Sequence, residues 1–322
     1  MLLAGDVGGT KTLLGLFERA DPRPVPHTIH SYTNTSFTRF TDILDAFAVD
    51  ARHPFTVEAC ALGVAGPVVD DHATLTNVDF HVAADDVVKR FGARSVRLLN
   101  DLEAMAGSVA VLTPDELAPL QKGVAHASAN AAVIAAGTGL GQAYLHRVDG
   151  RLMPVPTEAG HADFAARTDR ELELVRMLRE RHGRVEVEHV VSGPGLLNLH
   201  RFTHRGGECP VVDNLDSPEA PARVSQAAMG GRCQGCAEAL RMFVSAYGAE
   251  AGNLALRGMA MSGLYVGGGI ARKILPALKS GSFIEAFLAK GPMTGLLSKI
   301  PVHVILNAEA ALIGAAVCAG RL

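Results

Sequence analysis

The 322-residue sequence has no tryptophan, only four tyrosines and only five cysteines. An odd, scattered set of cysteines in a chain of this length does not predict a disulfide framework. No apolar run reaches the length that a membrane span needs, and the C-terminal small-residue run at 308–319 is too short. These absences argue against a disulfide-rich secreted domain and against a membrane protein.

The chain also lacks a large excess of either sign of charge, since its formal net charge is −3. This balance gives no basic footprint for nucleic acid or an anionic membrane. With 48% hydrophobic and 20% charged residues, the chain reads as an ordinary globular protein long enough for two domains. The N-terminus enters an apolar strand without a basic leader, so the cytoplasm is the expected compartment.

Residues 2–17 place glycines between two short apolar runs, which predicts a β-hairpin with a bare backbone turn. Glycines let backbone N–H groups approach an anion closely, and Thr10 and Lys11 add a hydroxyl and a positive charge. Asp6, just before the turn, could hold Mg²⁺ through water. The predicted phosphate-binding residues of this turn are Asp6, Gly8, Gly9, Thr10 and Lys11.

Residues 132–145 repeat this arrangement, with Gly137, Thr138 and Gly139 between two apolar runs. A strand–turn–strand unit in each half of the chain predicts a duplicated α/β architecture with two phosphate loops. A third glycine run, Gly267, Gly268 and Gly269, follows another apolar strand. It is either a plain strand-to-helix turn or a place where a nucleotide approaches the backbone.

Asn100 and Asp101 follow a predicted buried strand at 96–99 and precede a predicted helix at 102–112. Ligand sites in α/β folds lie at such strand ends. A helix cap would explain one of these two residues without requiring a catalytic role.

The ordered motifs DVGGT at 6–10, LNDLEA at 99–104, GTGLG at 137–141, EAGHADF at 158–164, EHVVSGPGL at 188–196 and VGGGI at 266–270 closely resemble those of bacterial glucokinases. The resemblance covers nearly the whole chain. It implies the two-domain, actin-like (duplicated ribonuclease H-like) α/β fold with an interdomain cleft. It further implies a small domain of residues 1–112 plus 302–322 and a large domain of residues 113–301.

The same resemblance implies an ATP-dependent kinase that phosphorylates glucose at its 6-hydroxyl, with Mg²⁺ as cofactor and Asp101 as general base. The residues at the sugar-binding positions are Asn77, Asn100, Asp101, Glu158, His161 and Glu188. Carboxylate, amide and imidazole groups suit a polyol because each can donate or accept hydrogen bonds. By resemblance, Asp6 anchors the metal, the two phosphate loops and residues 267–269 bind ATP, and a homodimer is one expected assembly.

Four alternatives remain open at this stage. One is a chaperone or filament ATPase, which would lack the polyol-binding set. The enzyme could act on another hexose or an N-acyl-hexosamine, or it could use polyphosphate as donor. A sugar-sensing regulator is a non-enzyme alternative, although no DNA-binding helices precede the first strand.

Cys233-Gln-Gly-Cys236 has His200, His204 and Cys209 upstream, but one Cys-x-x-Cys without a second pair is a weak zinc signal. Residues 164–168 also lack the cysteine-rich zinc segment of the related ROK kinases. The resemblance therefore favours a glucokinase without zinc.

Hydrophobic periodicity predicts helices at 36–49, 85–91, 170–181, 233–257 and 308–319. Ser192 is predicted to cap a helix at 195–202. A capping box at 113–116 predicts the start of another helix. Buried strands are expected at 57–64, 264–267 and 301–306.

Overall fold

A computed structural model describes residues 1–52, 55–75, 80–205 and 207–322. The strands are β1 (Leu2–Val7), β2 (Lys11–Glu18), β3 (Val25–Thr33), β4 (Ala59–Val64), β5 (Val68–Val69), β6 (His72–Thr74), β7 (His81–Ala83), β8 (Ser95–Asn100), β9 (Leu117–Gln121), β10 (Ala131–Ala136), β11 (Leu140–Val148), β12 (Arg151–Thr157), β13 (Gly263–Gly267) and β14 (Val302–Ile305). The helices are α1 (Phe40–Asp50), α2 (Ala84–Phe91), α3 (Asp101–Ser108), α4 (Asp169–His182), α5 (Gly193–Thr203), α6 (Ala220–Met229), α7 (Gln234–Gly258), α8 (Gly268–Lys273), α9 (Leu275–Leu278), α10 (Ser282–Leu288), α11 (Thr294–Leu297) and α12 (Ala310–Ala319). Within the described ranges, every helix is too short or too polar to cross a membrane.

The chain divides into two compact units. The first comprises Met1–Glu116, Arg151–Pro156 and Asn307–Leu322, and the second comprises Leu117–Gly150 and Thr157–Leu306.

The first unit is built on a five-stranded sheet in the order β3-β2-β1-β4-β8. The hairpin β1–β2 is antiparallel, whereas β1, β4 and β8 run parallel. Both β1 and β4 are buried almost throughout, as their continuous apolar sequences predict for strands covered on both faces. The small strands β5, β6 and β7 form a separate antiparallel sheet.

The second unit repeats this pattern with its own strands. Five of them lie in the order β11-β10-β13-β14-β9, with an antiparallel hairpin β10–β11 followed by parallel strands β13 and β14. A hairpin followed by two parallel strands therefore occurs in both units. The duplicated α/β architecture predicted from the two glycine turns is confirmed.

Most helices begin and end near their predicted bounds. Helix α7 extends from Gln234 to Gly258 and packs its buried face into the core of the second unit. Ser192 caps α5 through a hydrogen bond that its hydroxyl accepts from the Gly195 N–H at 2.9 Å. These elements could be predicted because their apolar periodicity and caps are local.

The helix predicted to start at Thr113 is wrong. Thr113 does donate its backbone N–H and its hydroxyl to Glu116 Oε2, at 2.8 and 3.0 Å. Only the 3₁₀ turn Pro114–Glu116 forms, however, and β9 follows it directly. Glu116 also accepts hydrogen bonds from Arg23 and Asn307, and the next residues pair with β14. Long-range pairing has overridden a local capping signal.

The observed division of the chain differs from the predicted one at three places. The first unit ends at Glu116 rather than at residue 112, and it also includes Arg151–Pro156. The chain returns to the first unit at Asn307 rather than at residue 302. The reason for this last difference is that β14 pairs in parallel with β13, which fixes it in the sheet of the second unit.

Helices α3 and α12 meet at glycines in the first unit. A Cβ on Gly314 would collide with the carbonyl oxygen of Ala104, and a Cβ on Gly107 would lie 3.2 Å from the Gly314 carbonyl oxygen. Bare backbone on both sides lets the helices approach closely, and α12 covers β1 and β4 through the apolar cluster around Leu312. The last helix therefore packs on the sheet of the first unit.

We expect Gly314→Ala to lower the free energy of unfolding by about 1–3 kcal/mol, because the added methyl group overfills this helix contact. Urea denaturation followed by circular dichroism measures the change. Gly295→Ala is the matched control, since its Cβ would meet no described atom within 4 Å. Equal stabilities for the two variants would contradict the close contact.

Candidate active site

The first glycine turn joins β1 to β2 and leaves backbone groups at its tip. Val7 pairs with Thr12, and the Gly8 N–H donates to the Lys11 carbonyl at 3.0 Å. Thr10 and Lys11 are exposed at this turn. The turn therefore has the bare hairpin geometry predicted from the sequence.

Asn34 supports the first turn through hydrogen bonds, although it is not among the site residues predicted from the sequence. Its fully buried side chain donates Nδ2–H to the Gly8 carbonyl at 2.7 Å and accepts from the Thr12 hydroxyl at 2.8 Å. Its backbone N–H donates to the Thr10 carbonyl at 3.0 Å. A buried amide with partners on both sides of a turn restricts its conformation. No local pattern reveals this role, because the partners are more than twenty residues away.

Asn100 and Asp101 lie together at the start of α3. The Leu102 N–H lies 2.9 Å from Asn100 Oδ1 and 2.8 Å from Asp101 Oδ1, and Asn100 is the N-cap. Asn100 Nδ2 also contacts the Gly66 carbonyl at 3.4 Å. The capping interpretation is thus correct for Asn100, and both side chains lie at the carboxyl end of β8.

Asp6 interacts electrostatically with Asp101. Burial raises the pKa of Asp6 to about 6, the negative charge of Asp101 adds to this increase, and Lys11 partly opposes it. The register explains the proximity, because Asp6 pairs with Gly63 of β4, and the next β4 residue, Val64, pairs with Asn100. Two carboxylates at one sheet edge form a hard oxygen site that a divalent cation would stabilise.

The second glycine turn is supported by a glutamate of the same unit. The Gly137 N–H donates to the Gly139 carbonyl at 2.8 Å, and the Leu140 N–H donates to Glu188 Oε2 at 2.7 Å. A Cβ on Gly139 would collide with that carboxylate oxygen, so a side chain at this position would displace Glu188 from the turn. Glu188, predicted as a sugar-binding residue, therefore also supports the turn.

The third glycine run lies against the strand that leads into the second turn. Gly268 has a φ of +86°, and its Cβ would lie 2.6 Å from the Ala136 carbonyl oxygen. Gly137 and Gly269 differ, because a Cβ on either would meet no described atom within 4 Å. Packing therefore explains Gly268 but leaves these two glycines without a structural requirement.

Glu158, His161 and Glu188 are brought together in the second unit. His161 Nδ1 lies 2.8 Å from Glu186 Oε2, and this hydrogen bond raises the pKa of His161 with help from the charges of Glu188, Glu186 and Glu158. Gly160 allows the approach, since a Cβ there would collide with the Leu140 carbonyl oxygen. Glu186 is not among the residues predicted from the sequence, although its spacing of two residues from Glu188 was a usable signal.

The predicted site residues thus form one set in each unit. In the first unit, the set consists of Asp6, Gly8, Gly9, Thr10, Lys11, Asn100 and Asp101. In the second unit, it consists of Gly137, Thr138, Gly139, Glu158, His161, Glu188, Gly267, Gly268 and Gly269. Asn77 lies outside the described residues.

A duplicated α/β fold with a glycine turn in each unit and a polar set beside each turn defines the actin-like sugar kinase class. Solved structures share this fold. The structure of a glucokinase from an Antarctic psychrotroph aligns with a TM-score of 0.86 and 30% identity, covering 100% of this chain and 99% of that chain. A ROK family glucokinase from Streptomyces griseus aligns with a TM-score of 0.65 at 22% identity, covering 100% of this chain and 99% of that chain, and shows the fold alone.

Sequence comparison identifies the family within this class. The glucokinase family model matches residues 3–322. The glucokinase of Nostoc punctiforme is 38% identical over 100% of this chain and 99% of its own length. That of Synechocystis is 37% identical over 99% of this chain and 98% of its own length. The chain belongs to the glucokinase family.

We expect Glu186→Gln to lower the pKa of His161, because the substitution removes the charged acceptor that favours the imidazolium form. NMR titration of the His161 ring protons, assigned with a His161→Gln variant, measures the shift. Glu173→Gln is the control, since Glu173 pairs with Arg170 instead. An unchanged His161 titration in Glu186→Gln would exclude the proposed cause.

Proposed function

We propose that this chain transfers the γ-phosphoryl group of ATP to the 6-hydroxyl of glucose. Family membership makes it a glucose kinase, and the interaction between Asp6 and Asp101 beside the first glycine turn is the observation that supports the chemistry. The psychrotroph and cyanobacterial relatives are named glucokinases, and the Streptomyces griseus structure contains glucose and AMPPNP. Glucose and ATP, of which AMPPNP is an analogue, are therefore our choice of substrates.

Asp101 is our candidate for the general base. Its carboxylate lies at the carboxyl end of β8, where ligand sites lie in α/β folds. Its negative charge contributes to the raised pKa of Asp6. In the proposed reaction, Asp101 accepts the proton of the 6-hydroxyl as the oxygen attacks the γ-phosphorus, and ADP leaves. Because phosphoryl transfer has a loose transition state, positioning of the hydroxyl is the main contribution of this residue.

Asp6 is the candidate anchor for Mg²⁺. The residues fit the ion because Asp6 and Asp101 offer carboxylate oxygens at the carboxyl ends of neighbouring strands. Burial and the charge of Asp101 also raise the pKa of Asp6, an effect that a cation would offset. Bound Mg²⁺ would neutralise charge on the phosphates. Asp6 would hold the ion through water, as small, strongly hydrated divalent cations prefer.

The polar set of the second unit is proposed to bind the sugar. Glu158, His161 and Glu188 offer acceptors and a donor for hydroxyl groups, and the Glu186 hydrogen bond orients the imidazole of His161. Glu188 has a second contact, since its Oε2 accepts the Leu140 N–H beside the glycine turn. This carboxylate would therefore couple sugar binding to the shape of the phosphate turn.

The glycine turns are proposed to bind the phosphates of ATP. Gly137 and Gly269 have space where a side chain could stand, yet neither carries one. A phosphate group that approaches the backbone N–H groups explains this bare surface. By the same argument, residues 267–269 would permit close approach of the adenosine.

We also infer a cytoplasmic enzyme, because all five cysteines are unpaired, as expected in a reducing compartment. The homodimer expected by resemblance stays a prediction. A sedimentation measurement of the purified chain would test it.

Asp101→Asn should lower kcat by at least ~10²-fold, the usual scale for loss of a general base. The amide oxygen can still accept the Leu102 N–H, so the start of α3 should survive. A coupled assay of glucose 6-phosphate formation measures kcat, and calorimetry measures glucose binding. Retained binding with lost turnover is the expected result.

The control for this experiment is Asp163→Asn, an exposed carboxylate that pairs with Arg184. It should keep wild-type kcat. Turnover of Asp101→Asn within about threefold of wild type would remove Asp101 as general base.

Gly137→Ala should leave thermal stability near wild type, because its methyl group meets no described atom within 4 Å. It should raise KM for ATP several-fold, because the methyl group would occupy the space in which we propose that phosphate binds. Gly139→Ala is the contrasting variant, since its Cβ collides with Glu188 and should lower Tm. Melting curves and initial rates at varied ATP separate the two effects. An unchanged KM for ATP in Gly137→Ala would contradict phosphate binding at this turn.

A further inference from the structure

Five side chains form a thiol–imidazole cluster in the second unit, apart from the residues assigned to the kinase reaction. The members are His200, His204, Cys209, Cys233 and Cys236. His200 lies in α5 and His204 follows that helix, whereas Cys233 caps α7 and Cys236 lies in its first turn. Cys209 comes from the segment between α5 and α6. From the sequence alone this set is a weak zinc signal, because it contains one Cys-x-x-Cys without a second pair.

The sulfur atoms are separated by distances that fit one tetrahedral ion. Cys209 Sγ lies 3.9 Å from Cys233 Sγ and 3.7 Å from Cys236 Sγ. Four ligands around Zn²⁺ with Zn–S bonds of about 2.3 Å place neighbouring sulfurs about 3.8 Å apart. Disulfide bonding would instead require a sulfur separation of about 2.05 Å. The observed spacing therefore favours metal coordination over a disulfide.

His204 is oriented as a metal ligand. Its Nδ1 lies 2.9 Å from the His200 carbonyl oxygen, which can only accept, so Nδ1 carries the proton. The Nε2 lone pair consequently points toward the thiols, 3.2 Å from Cys233 Sγ. A backbone carbonyl that fixes the tautomer is the usual outer partner of a zinc-bound histidine.

Gly235 makes room for this imidazole. A Cβ there would lie 2.6 Å from His204 Cε1. The glycine of the Cys-Gln-Gly-Cys turn therefore admits the ring beside the two cysteines.

Backbone donors also point at two of the sulfurs. The Val212 N–H lies 3.3 Å from Cys209 Sγ, and the Cys236 N–H lies 3.5 Å from Cys233 Sγ. Such donors stabilise sulfur in its thiolate form, which is the form that binds metals.

His200 adds a separate indication of a ligand. It is 3% exposed, and neither ring nitrogen has a hydrogen-bond partner among the described residues. Buried polar atoms normally have partners, so these nitrogens need an explanation. One coordinating atom each of His200, His204, Cys209 and Cys236 lie within 4.8 Å of one another. His200 is thus a fifth donor at the edge of the same cluster.

We propose that this cluster is a structural zinc site, with Zn²⁺ bound by His204, Cys209, Cys233 and Cys236. The nitrogen and sulfur donors suit Zn²⁺ and exclude Mg²⁺ or Ca²⁺, which prefer oxygen ligands. Four protein ligands close the coordination sphere, so the ion stabilises the fold and performs no chemistry. It joins the end of α5, the segment around Cys209 and the start of α7.

The site also explains how the segment that contains Cys209 is held. Residues 207–219 contain no helix or strand. A metal link at Cys209 would fix it against two helices. This role is independent of glucose phosphorylation, so a failure of one proposal leaves the other intact.

The test measures zinc in the full-length chain purified without a histidine tag. Elemental analysis should find about one zinc ion per chain. Removal of the ion with a chelator should lower Tm, and added Zn²⁺ should restore it. Co²⁺ loading should produce the visible bands of tetrahedral cobalt and a thiolate charge-transfer band.

Cys209→Ser, Cys236→Ser and His204→Ala should lose the bound zinc, whereas the control Cys318→Ser, in the first unit, should keep it. If a variant fails to fold, alkylation of the wild type provides the second measurement. Zn²⁺ should slow alkylation of Cys209, Cys233 and Cys236 without affecting Cys318.

A wild-type chain that contains no zinc, and that gains neither Tm nor thiol protection from added Zn²⁺, would overturn the proposal. Full zinc content in Cys209→Ser and Cys236→Ser would do the same. Zinc that is lost in His200→Ala but kept in Cys233→Ser would overturn the assignment of Cys233 as the fourth ligand.

Discussion

The parallel pairing of β1, β4 and β8 decides where the polar side chains of the first unit lie. Asp6 is in register with Gly63, and the next β4 residue, Val64, is in register with Asn100. Because the carboxyl ends of parallel strands meet at one sheet edge, residues nearly a hundred positions apart become neighbours. Slippage by one residue would turn Asp6 to the opposite face of its strand. The position of the candidate site residues therefore depends on backbone hydrogen bonds between strands, in which their side chains take no part.

At the same sheet edge, the ionised form of Asp6 is electrostatically destabilised. Burial and the charge of Asp101 both disfavour the ionised form of Asp6, and one nearby cation, Lys11, offsets this only in part. A protein can tolerate such an arrangement where a ligand supplies positive charge. The pair of aspartates is thus consistent with the proposed Mg²⁺ site and is not the arrangement of a stabilising ion pair. Elsewhere in the same unit, Glu116 has a pKa lowered to about 2, chiefly by Arg23, which is the arrangement of a purely structural carboxylate.

Much of the fold and the site could be predicted because their signals are local. The two glycine turns, the cap at Ser192 and the apolar strand β4 are each encoded within a few residues. The helix expected at Thr113 does not form, because Glu116 accepts a hydrogen bond from Arg23 and the residues that follow it pair with β14 as strand β9. Similarly, the support that Asn34 gives to the first turn arises only after β3 has paired with β2. Partners distant in sequence, rather than weak propensities, limited the prediction.

The thiol–imidazole cluster is the clearest case in which partners distant in sequence limit what can be predicted. The Cys-x-x-Cys turn alone indicates little, because a zinc site needs four ligands with the correct separation. The end of α5, the segment around Cys209 and the start of α7 bring these ligands together only after the two helices pack in the core of the second unit. The ring nitrogens of His200, which have no hydrogen-bond partner in the described part of the chain, then add a secondary indication of a ligand, because burial removes the water that would otherwise satisfy them. In this chain, therefore, the spacing of thiols and imidazoles in the packed core supports a proposed ligand site that motif spacing does not reveal.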